Sequence, residues 1–262
     1  MKKGLTGFTV FLVYVLTGFF VLSGVASALN IVLEPANAQR EVGGKVRVHI
    51  YADDAVDLLS MGVKVSFNKD VLQAESASKY EVDADTGWVM DADGDATTTG
   101  DQYRTPALEI DNANGTVIMI GGNLNGDSTT GHSGKVLLGW IVFEAIANGN
   151  SNLSVDLGKY NPNHPTDTFD NFVGVGGTVD EPTNVPGDLG IICVMSGACT
   201  GDCNGNGSVD MGDFAQVRAS MGNSFPDADY DVFADVNANG SIDMGDFAII
   251  RAEMGSTCPA CP

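Results

Sequence analysis

Two stretches decide the C-terminal fold of this chain: GSVDMGDFAQVRASMG at residues 207–222 and GSIDMGDFAIIRAEMG at residues 240–255. They are identical at 12 of 16 positions at an offset of 33 residues, and two of the four differences exchange valine for isoleucine. An internal repeat this close indicates a duplicated structural unit. Apolar residues at helical spacing, followed by glycine, predict short helices over residues 211–221 and 244–254.

Each predicted helix follows a twelve-residue loop that carries oxygen-bearing residues at alternating positions. Calcium is a hard cation that binds six to eight oxygens, and loops of this length supply them from positions 1, 3, 5, 7, 9 and 12. Gly207 and Gly240 take position 6, where the turn is sharp. The predicted ligands of two calcium ions are Asp202, Asn204, Asn206, Ser208, Asp210 and Asp213 in the first loop, and Asp235, Asn237, Asn239, Ser241, Asp243 and Asp246 in the second.

The alternative interpretation of the loops is a pair of polar turns without a metal. Position 12 is aspartate rather than the glutamate of an ordinary EF-hand, so the last turn of each loop must be tighter. Residues 196–201 show no helical pattern, so each unit is a loop followed by a single helix. The three carboxylates of each loop repel one another without an ion, which predicts that folding is linked to calcium binding.

This pairing of loop and exiting helix, over residues 201–256, closely resembles a dockerin domain of type I. The resemblance implies a small α-helical, EF-hand-like module that folds with two calcium ions and docks onto a cohesin domain. The family's partner-binding positions correspond to Met211, Gly212, Arg218, Met244, Gly245 and Arg251. Many dockerins carry a serine–threonine type pair where this chain has Met-Gly, which leaves the partner's identity open. The two arginines could instead be solvated surface residues.

Residues 29–180 have a different pattern, in which short apolar runs alternate with polar residues. Val46, Val48 and Ile50, for example, alternate with Arg47 and His49. Turn-forming residues separate eight or nine such runs, which predicts a mainly β, antiparallel sandwich. Residues 181–200 contain prolines and glycines without alternation and are predicted to form a linker, and residues 257–262 a cysteine-containing tail.

The sandwich pattern resembles a cohesin on three segments: VGGKVRV at 42–48, VKVSFNKDVL at 63–72 and GKVLLGWIVFEAIANGNSNLSVDL at 134–157. Some carbohydrate-binding modules share this jelly-roll type of sandwich, so the fold alone does not separate protein binding from sugar binding. Trp140 lies in a strongly apolar run and is expected in the core. Trp88, beside an acidic loop, is the better candidate for stacking on a sugar ring.

Residues 1–28 are predicted to be an export signal, because Lys2 and Lys3 precede an apolar run that ends in small residues. The alternative is an uncleaved membrane anchor. The chain carries 34 acidic against 13 basic side chains, a formal net charge of −21. A field this negative repels nucleic acid and anionic membranes and attracts divalent cations.

All five cysteines lie around the predicted calcium module: Cys193, Cys199, Cys203, Cys258 and Cys261. In an oxidising compartment they would form disulfides that staple its ends, although the sequence leaves the pairing and the unpaired cysteine open. The alternative of a zinc site has little support, because the spacing is irregular and no histidine lies nearby.

These features predict a secreted, non-catalytic adaptor that assembles with cohesin or dockerin domains of other secreted proteins in a calcium-dependent way. A link to polysaccharide breakdown follows only by association with the resembled family. The first alternative is a carbohydrate-binding protein that uses its dockerin to join a complex, and the second is a glycoside hydrolase. A cohesin-like domain and a dockerin on one chain also raise the possibility of self-association.

Overall fold

The computed structural model describes residues 28–79, 88–89, 108–123, 131–158, 172–175, 179–180 and 182–261. The predicted export signal lies outside them, except for Ala28. None of the helices in these ranges is long and apolar enough to cross a membrane.

Strands make up about half of the described chain, and both helices lie near its C-terminus. The strands are β1 (Asn30–Glu34), β2 (Asn37–Arg40), β3 (Lys45–Ser66), β4 (Leu72–Lys79), β5 (Trp88–Val89), β6 (Leu108–Asp111), β7 (Thr116–Asn123), β8 (His132–Ala145), β9 (Gly149–Leu157), β10 (Phe172–Gly174), β11 (Val179–Asp180) and β12 (Gly187–Val194). The helices are α1 (Met211–Ala219) and α2 (Met244–Glu253). The predicted fold class, a β-sandwich followed by a small helical module, is confirmed.

The long strand β3 belongs to both layers of the sandwich. Its first half pairs with β1 and β8, and β4 continues that layer beyond β8. Its second half lies between β7 and β9 in the other layer. The two halves are separated by register shifts and by Asp54 and Asp57, whose φ angles are 59° and 49°. Such irregularities bend a strand and let it pass from one layer to the other.

The hydrophobic core fills the space between the two layers. Alternate residues of β3, such as Val46, Val48 and Ile50, are buried there together with Phe143 of β8 and Leu153 of β9. The period-two alternation of the sequence therefore identifies the inward face correctly.

The predicted linker contains a strand. Within residues 181–200, β12 pairs antiparallel with β9 and parallel with β2, so this stretch belongs to the sandwich. The prediction of a structureless linker is wrong for Gly187–Val194, because the glycines and prolines of this stretch obscure its alternation. A disulfide joins Cys193 of β12 to Cys261, which anchors the tail to the sandwich.

The helical module is built from two repeats that hold each other in place. Gly222, after α1, donates its N–H to the carbonyl of Ile242 in the second loop, and Gly255, after α2, donates to Val209 in the first. The two loops are therefore tied crosswise. Val209, Val217, Ile242 and Ile250 form the buried core of the module, and a disulfide between Cys199 and Cys258 closes its two ends.

Calcium loops, helical groove and contact with the sandwich

The first loop is organised by backbone N–H groups that donate to its own side chains. Asp202 at position 1 accepts from Asn206 and Gly207, both at 3.0 Å. Asp213 at position 12 accepts from Asn204 at 3.1 Å and from Asp210 at 2.8 Å. These bonds turn the carboxylates of positions 1 and 12 toward the loop backbone.

The second loop repeats this network with the same geometry. Asp235 accepts from Asn239 at 3.0 Å and from Gly240 at 2.8 Å, and Asp246 accepts from Asn237 and Asp243. Gly240 has a φ of 88°, which matches the 87° of its counterpart Gly207 in the first loop. A side chain at either position would be strained, so glycine at position 6 is a requirement of the turn.

The donor set of each loop fits a hard divalent cation. In the described part of the chain, no group of three or more acidic, histidine or cysteine side chains is placed to hold a metal ion. The possible ligands of each loop are therefore a mixture of carboxylate, amide and carbonyl oxygens. Asp213 and Asp246 are fully buried, and burial raises the pKa of the Asp246 carboxyl. Burying a carboxylate is costly unless a cation compensates for it, and an all-oxygen loop suits calcium.

Asp210 and Asp243, at loop position 9, also begin the helices. Asp210 Oδ1 accepts from the N–H of Gly212, and Asp243 Oδ1 from that of Gly245, both at 2.6 Å. Each forms a capping box with the aspartate at position 12. In EF-hand loops a residue at position 9 often reaches the ion through a water molecule, so helix capping is compatible with its predicted role.

The outer face of the two helices carries a shallow apolar groove of about 1060 Å³. It is lined by Phe214, Arg218, Met221, Met244, Phe247, Ala248, Arg251 and Ala252. Three of the six residues predicted to bind a partner thus lie in one groove. Met211 is not among the lining residues but is 67% exposed, and Met244 is 73% exposed.

The other two predicted partner residues, Gly212 and Gly245, lie close to side chains of their own loops. A Cβ atom on Gly212 would lie 2.8 Å from Nδ2 of Asn204, and one on Gly245 would lie 2.8 Å from Nδ2 of Asn237. These amides belong to loop position 3, so the Met-Gly pair is matched to the packing of the loop beneath it.

The opposite side of the helical module packs against the sandwich, a contact that the sequence does not reveal. The sandwich patch consists of Arg47, His49, Tyr51 and Trp140 on the outer side of β3 and β8. His49 stacks on Tyr230, with ring centroids 5.8 Å apart, and meets Phe225 edge to face at 5.3 Å. Arg47 pairs with Asp235 of the second loop.

Further contacts extend this interface along β2. Gln39 donates to the carbonyl of Pro259 at 2.6 Å, and Glu41 accepts from the N–H of Gly197 at 2.9 Å. Arg40 is buried, and its burial lowers its pKa to about 10 despite the charges of Glu253 and Asp235. The alternation in β3 placed Arg47 and His49 on the outer face, but nothing local indicates that another module covers them.

Trp140 is not a core residue, contrary to the sequence prediction. It is half-buried on the outer face, and the Arg47 guanidinium lies 4.2 Å from the centroid of its ring. Its strand is apolar on both faces because the outer one is also covered. Trp88 belongs to β5, but its side chain is outside the described part of the structure.

Residues 200–254 match the family model of the dockerin type I domain. The helical module is therefore a dockerin type I domain, as the loop spacing and the repeat predicted. The match covers this module and leaves the sandwich unassigned. No curated protein matches the chain closely enough to count as a relative.

Solved structures that resemble the chain include cohesins. The sixth cohesin from scaffoldin B of Acetivibrio cellulolyticus, in complex with the Cel5 dockerin, is 11% identical with a TM-score of 0.42, covering 64% of this chain and 100% of that one. A non-cellulosomal cohesin from Archaeoglobus fulgidus is 13% identical with a TM-score of 0.42, over 65% and 93%. The Coh-OlpC–Doc435 complex from Clostridium thermocellum is 7% identical with a TM-score of 0.43, over 64% and 93%. Such low scores and identities carry no weight for function.

Proposed function

We propose that this chain is an exported, non-catalytic adaptor whose dockerin binds a cohesin-type domain of another protein in a calcium-dependent way. The proposal rests on the observation that one part of the dockerin is covered by the sandwich while another is exposed. The sandwich contacts the second loop and the segment that precedes it, whereas the apolar groove between the helices is exposed. An exposed apolar face on a small module is typical of a protein-binding site.

Calcium is proposed to bind both loops. Type I dockerins bind calcium, and both loops here present the same oxygen-rich sequence and the same hydrogen-bond network. Bound calcium would neutralise the carboxylates at positions 1 and 12 and so fix the start of each helix. The groove lies between these helices, so its shape would depend on calcium in both loops.

The chemistry of the groove indicates what its partner must offer. Methionine and phenylalanine side chains form its floor and rim, with Arg218 and Arg251 exposed at related positions. A complementary surface would be an apolar patch flanked by acidic side chains. Methionines adapt to differently shaped apolar surfaces, which suits a face that must fit more than one orientation.

The repeat gives the partner two nearly equivalent ways to bind. We expect Met211 and Arg218 together to contribute about as much as Met244 and Arg251 together, because a 33-residue offset relates the two pairs. Replacing either pair by alanine should weaken binding only modestly, while replacing all four residues should abolish it.

The test is calorimetric titration of the whole chain with a panel of purified cohesin domains, in calcium and in chelator. A matched control replaces the half-buried Lys64 and the exposed Lys69 of the sandwich by alanine, which should leave affinity unchanged. Absence of binding to every cohesin in calcium would overturn the proposal. Loss of binding from one pair of substitutions alone would overturn the two-orientation part only.

The proposal also includes export of the chain and a cohesin-type function of its sandwich. Two disulfides support an oxidising compartment, since such bonds rarely persist in the cytosol. A link to polysaccharide breakdown would come through the proteins that the adaptor joins.

A further inference from the structure

One sandwich residue reaches a predicted calcium ligand. The guanidinium Nε of Arg47 lies 3.6 Å from Oδ2 of Asp235, the first residue of the second loop. The Arg47 side chain is 9% exposed and that of Asp235 is fully buried. The hydroxyl of Tyr230 donates to the same carboxylate oxygen at 2.5 Å, and the N–H of Gly240 does so at 2.8 Å.

The first loop has different surroundings despite its matching sequence. Asp202 accepts from two backbone N–H groups that correspond to those bound by Asp235, but in the described chain no arginine or lysine forms an ion pair with it. A Cβ atom on Gly240 would lie 3.0 Å from Nη2 of Arg47, whereas a Cβ atom on Gly207 would have no neighbouring atom within 4 Å. Arg47 therefore forms an ion pair with position 1 of the second loop and not of the first, whereas the buried Arg40 acts on both loops, through Cys203 of the first and Asp235 of the second.

The position of this charge is fixed by its neighbours. Arg47 lies near the start of β3, where it pairs with Val142 of β8, and its guanidinium is held over the Trp140 ring at 4.2 Å, with the Phe225 ring at 5.9 Å. Aromatic faces attract a guanidinium and exclude water around it. A charge held in this way is screened less than a mobile surface arginine.

We propose that Arg47 competes with calcium at the second loop, so that this site is weaker than the first and its filling is coupled to the contact between sandwich and dockerin. The inference rests on the proposed calcium-binding function. A guanidinium beside Asp235 stabilises the empty loop by compensating its charge, and it repels a divalent cation that enters. Both effects lower the affinity of the second site.

The opposite effect, in which Arg47 strengthens the site by orienting its ligand, is smaller. Outer partners of a metal ligand can indeed raise affinity by fixing its orientation. However, Asp235 is already held by the N–H groups of Asn239 and Gly240 and by the Tyr230 hydroxyl. Replacing Arg47 by a neutral residue should therefore leave the orientation of the Asp235 carboxylate unchanged but remove the positive charge beside it.

Coupling between two equilibria is reciprocal. If the contact with Arg47 weakens calcium binding by some factor, calcium in the second loop weakens that contact by the same factor. Because the guanidinium lies on the Trp140 ring, the fluorescence of this tryptophan should change as the second site fills. Trp88 is the other tryptophan of the chain, so a Trp88→Phe background isolates the signal.

The experiment is calcium titration of the whole chain, followed by calorimetry and by Trp140 fluorescence. Asp235→Ala leaves the first site to be measured and Asp202→Ala leaves the second. We expect the second site to be the weaker one, and Arg47→Gln to tighten it about tenfold, the order expected for one nearby charge in a partly solvated site. The first site should be unaffected.

Two further variants serve as controls. Lys64→Gln removes one positive charge from the same strand, but at a position whose ion pair is with Asp156 on β9, so both calcium affinities should stay unchanged. Arg47→Lys keeps the charge and should keep the second site weak. If an aspartate variant fails to fold, the wild-type isotherm still serves, because its two unequal steps should merge in Arg47→Gln.

The outcomes separate the inference from the proposed function. No calcium binding by the wild-type chain would overturn the proposed function, and the inference with it. Calcium binding with equal sites, or a second site that Arg47→Gln leaves unchanged or weakens, would overturn the inference alone.

Discussion

Phe214 of α1 and Phe247 of α2 occupy the same position in the two repeats and meet edge to face, with ring centroids 4.6 Å apart. Aromatic pairs prefer this arrangement, which contributes about 0.5–1.5 kcal/mol beyond the burial of the rings. Both rings pack on the core of the dockerin and also line the groove on its outer side. A single contact thus joins the repeats and shapes the surface proposed for the partner.

Phe247→Ala should therefore destabilise the dockerin by about 2 kcal/mol, below the 3–5 kcal/mol of a fully buried phenylalanine because the ring is partly exposed. The measurement is urea unfolding of the whole chain in calcium, followed by helical circular dichroism. Phe233→Ala removes an exposed phenylalanine from the same module and should cost less than about 0.5 kcal/mol. Equal effects of the two substitutions would contradict the role given to the pair.

Calcium removal should unfold the helices. Without an ion, the buried Asp213 and Asp246 carry uncompensated charge next to the other acids of their loops. We expect chelator to abolish most of the helical circular dichroism, and Asp202→Ala with Asp235→Ala to prevent its recovery in calcium. The control replaces the exposed sandwich residues Asp70 and Glu109 by alanine, which changes the net charge equally. A helical signal unchanged by chelator would show that the loops fold without metal.

The features of this chain that the sequence predicts well are those that depend on residues close together in the sequence. The two loops and their helices depend on residue spacing within a dozen positions, and the second copy repeats the pattern. The interface between the sandwich and the dockerin could not be predicted in this way, because Arg47 and Asp235 are 188 positions apart and no local pattern connects them. The continuity of β3 is also hidden, because Asp54 and Asp57 interrupt its alternation at the point where the strand changes layers. Disulfide pairing likewise requires the fold, which brings Cys193 and Cys261 to a Cα–Cα distance of 5.8 Å.

His49 should make the chain less stable in mild acid. Burial, together with the charges of Arg47 and Lys135, lowers its pKa to about 3, from an ordinary value of 6.5. Between these values the unfolded chain binds a proton that the folded chain does not, so this contribution to stability is present above pH 6.5 and is lost progressively as the pH falls toward 3. From pH 7 to pH 5 the loss from His49 alone should be about 2 kcal/mol.

His49→Gln should remove this part of the pH dependence. Other groups, including Tyr51 and Tyr230 against the ring and all the carboxylates, are common to both proteins, so the difference between them isolates the histidine. The measurement is urea unfolding of both proteins at pH 7, 6 and 5, in saturating calcium. Parallel losses of stability in the two proteins would mean that His49 takes up a proton in the folded state.

The cysteines should divide into four that are bonded and one that is shielded. Cys193 pairs with Cys261, Cys199 with Cys258, and Cys203 is left as a thiol that is 8% exposed in the dockerin core. A thiol reagent should therefore label almost nothing in the native, calcium-loaded chain and one thiol per chain in denaturant. Chelator without denaturant should give an intermediate rate, because loosening of the loops exposes the core around Cys203. A Cys203→Ala chain should remain unlabelled in all three conditions. Labelling of more than one thiol in denaturant would contradict the pairing, and rapid labelling in calcium would contradict the burial of Cys203.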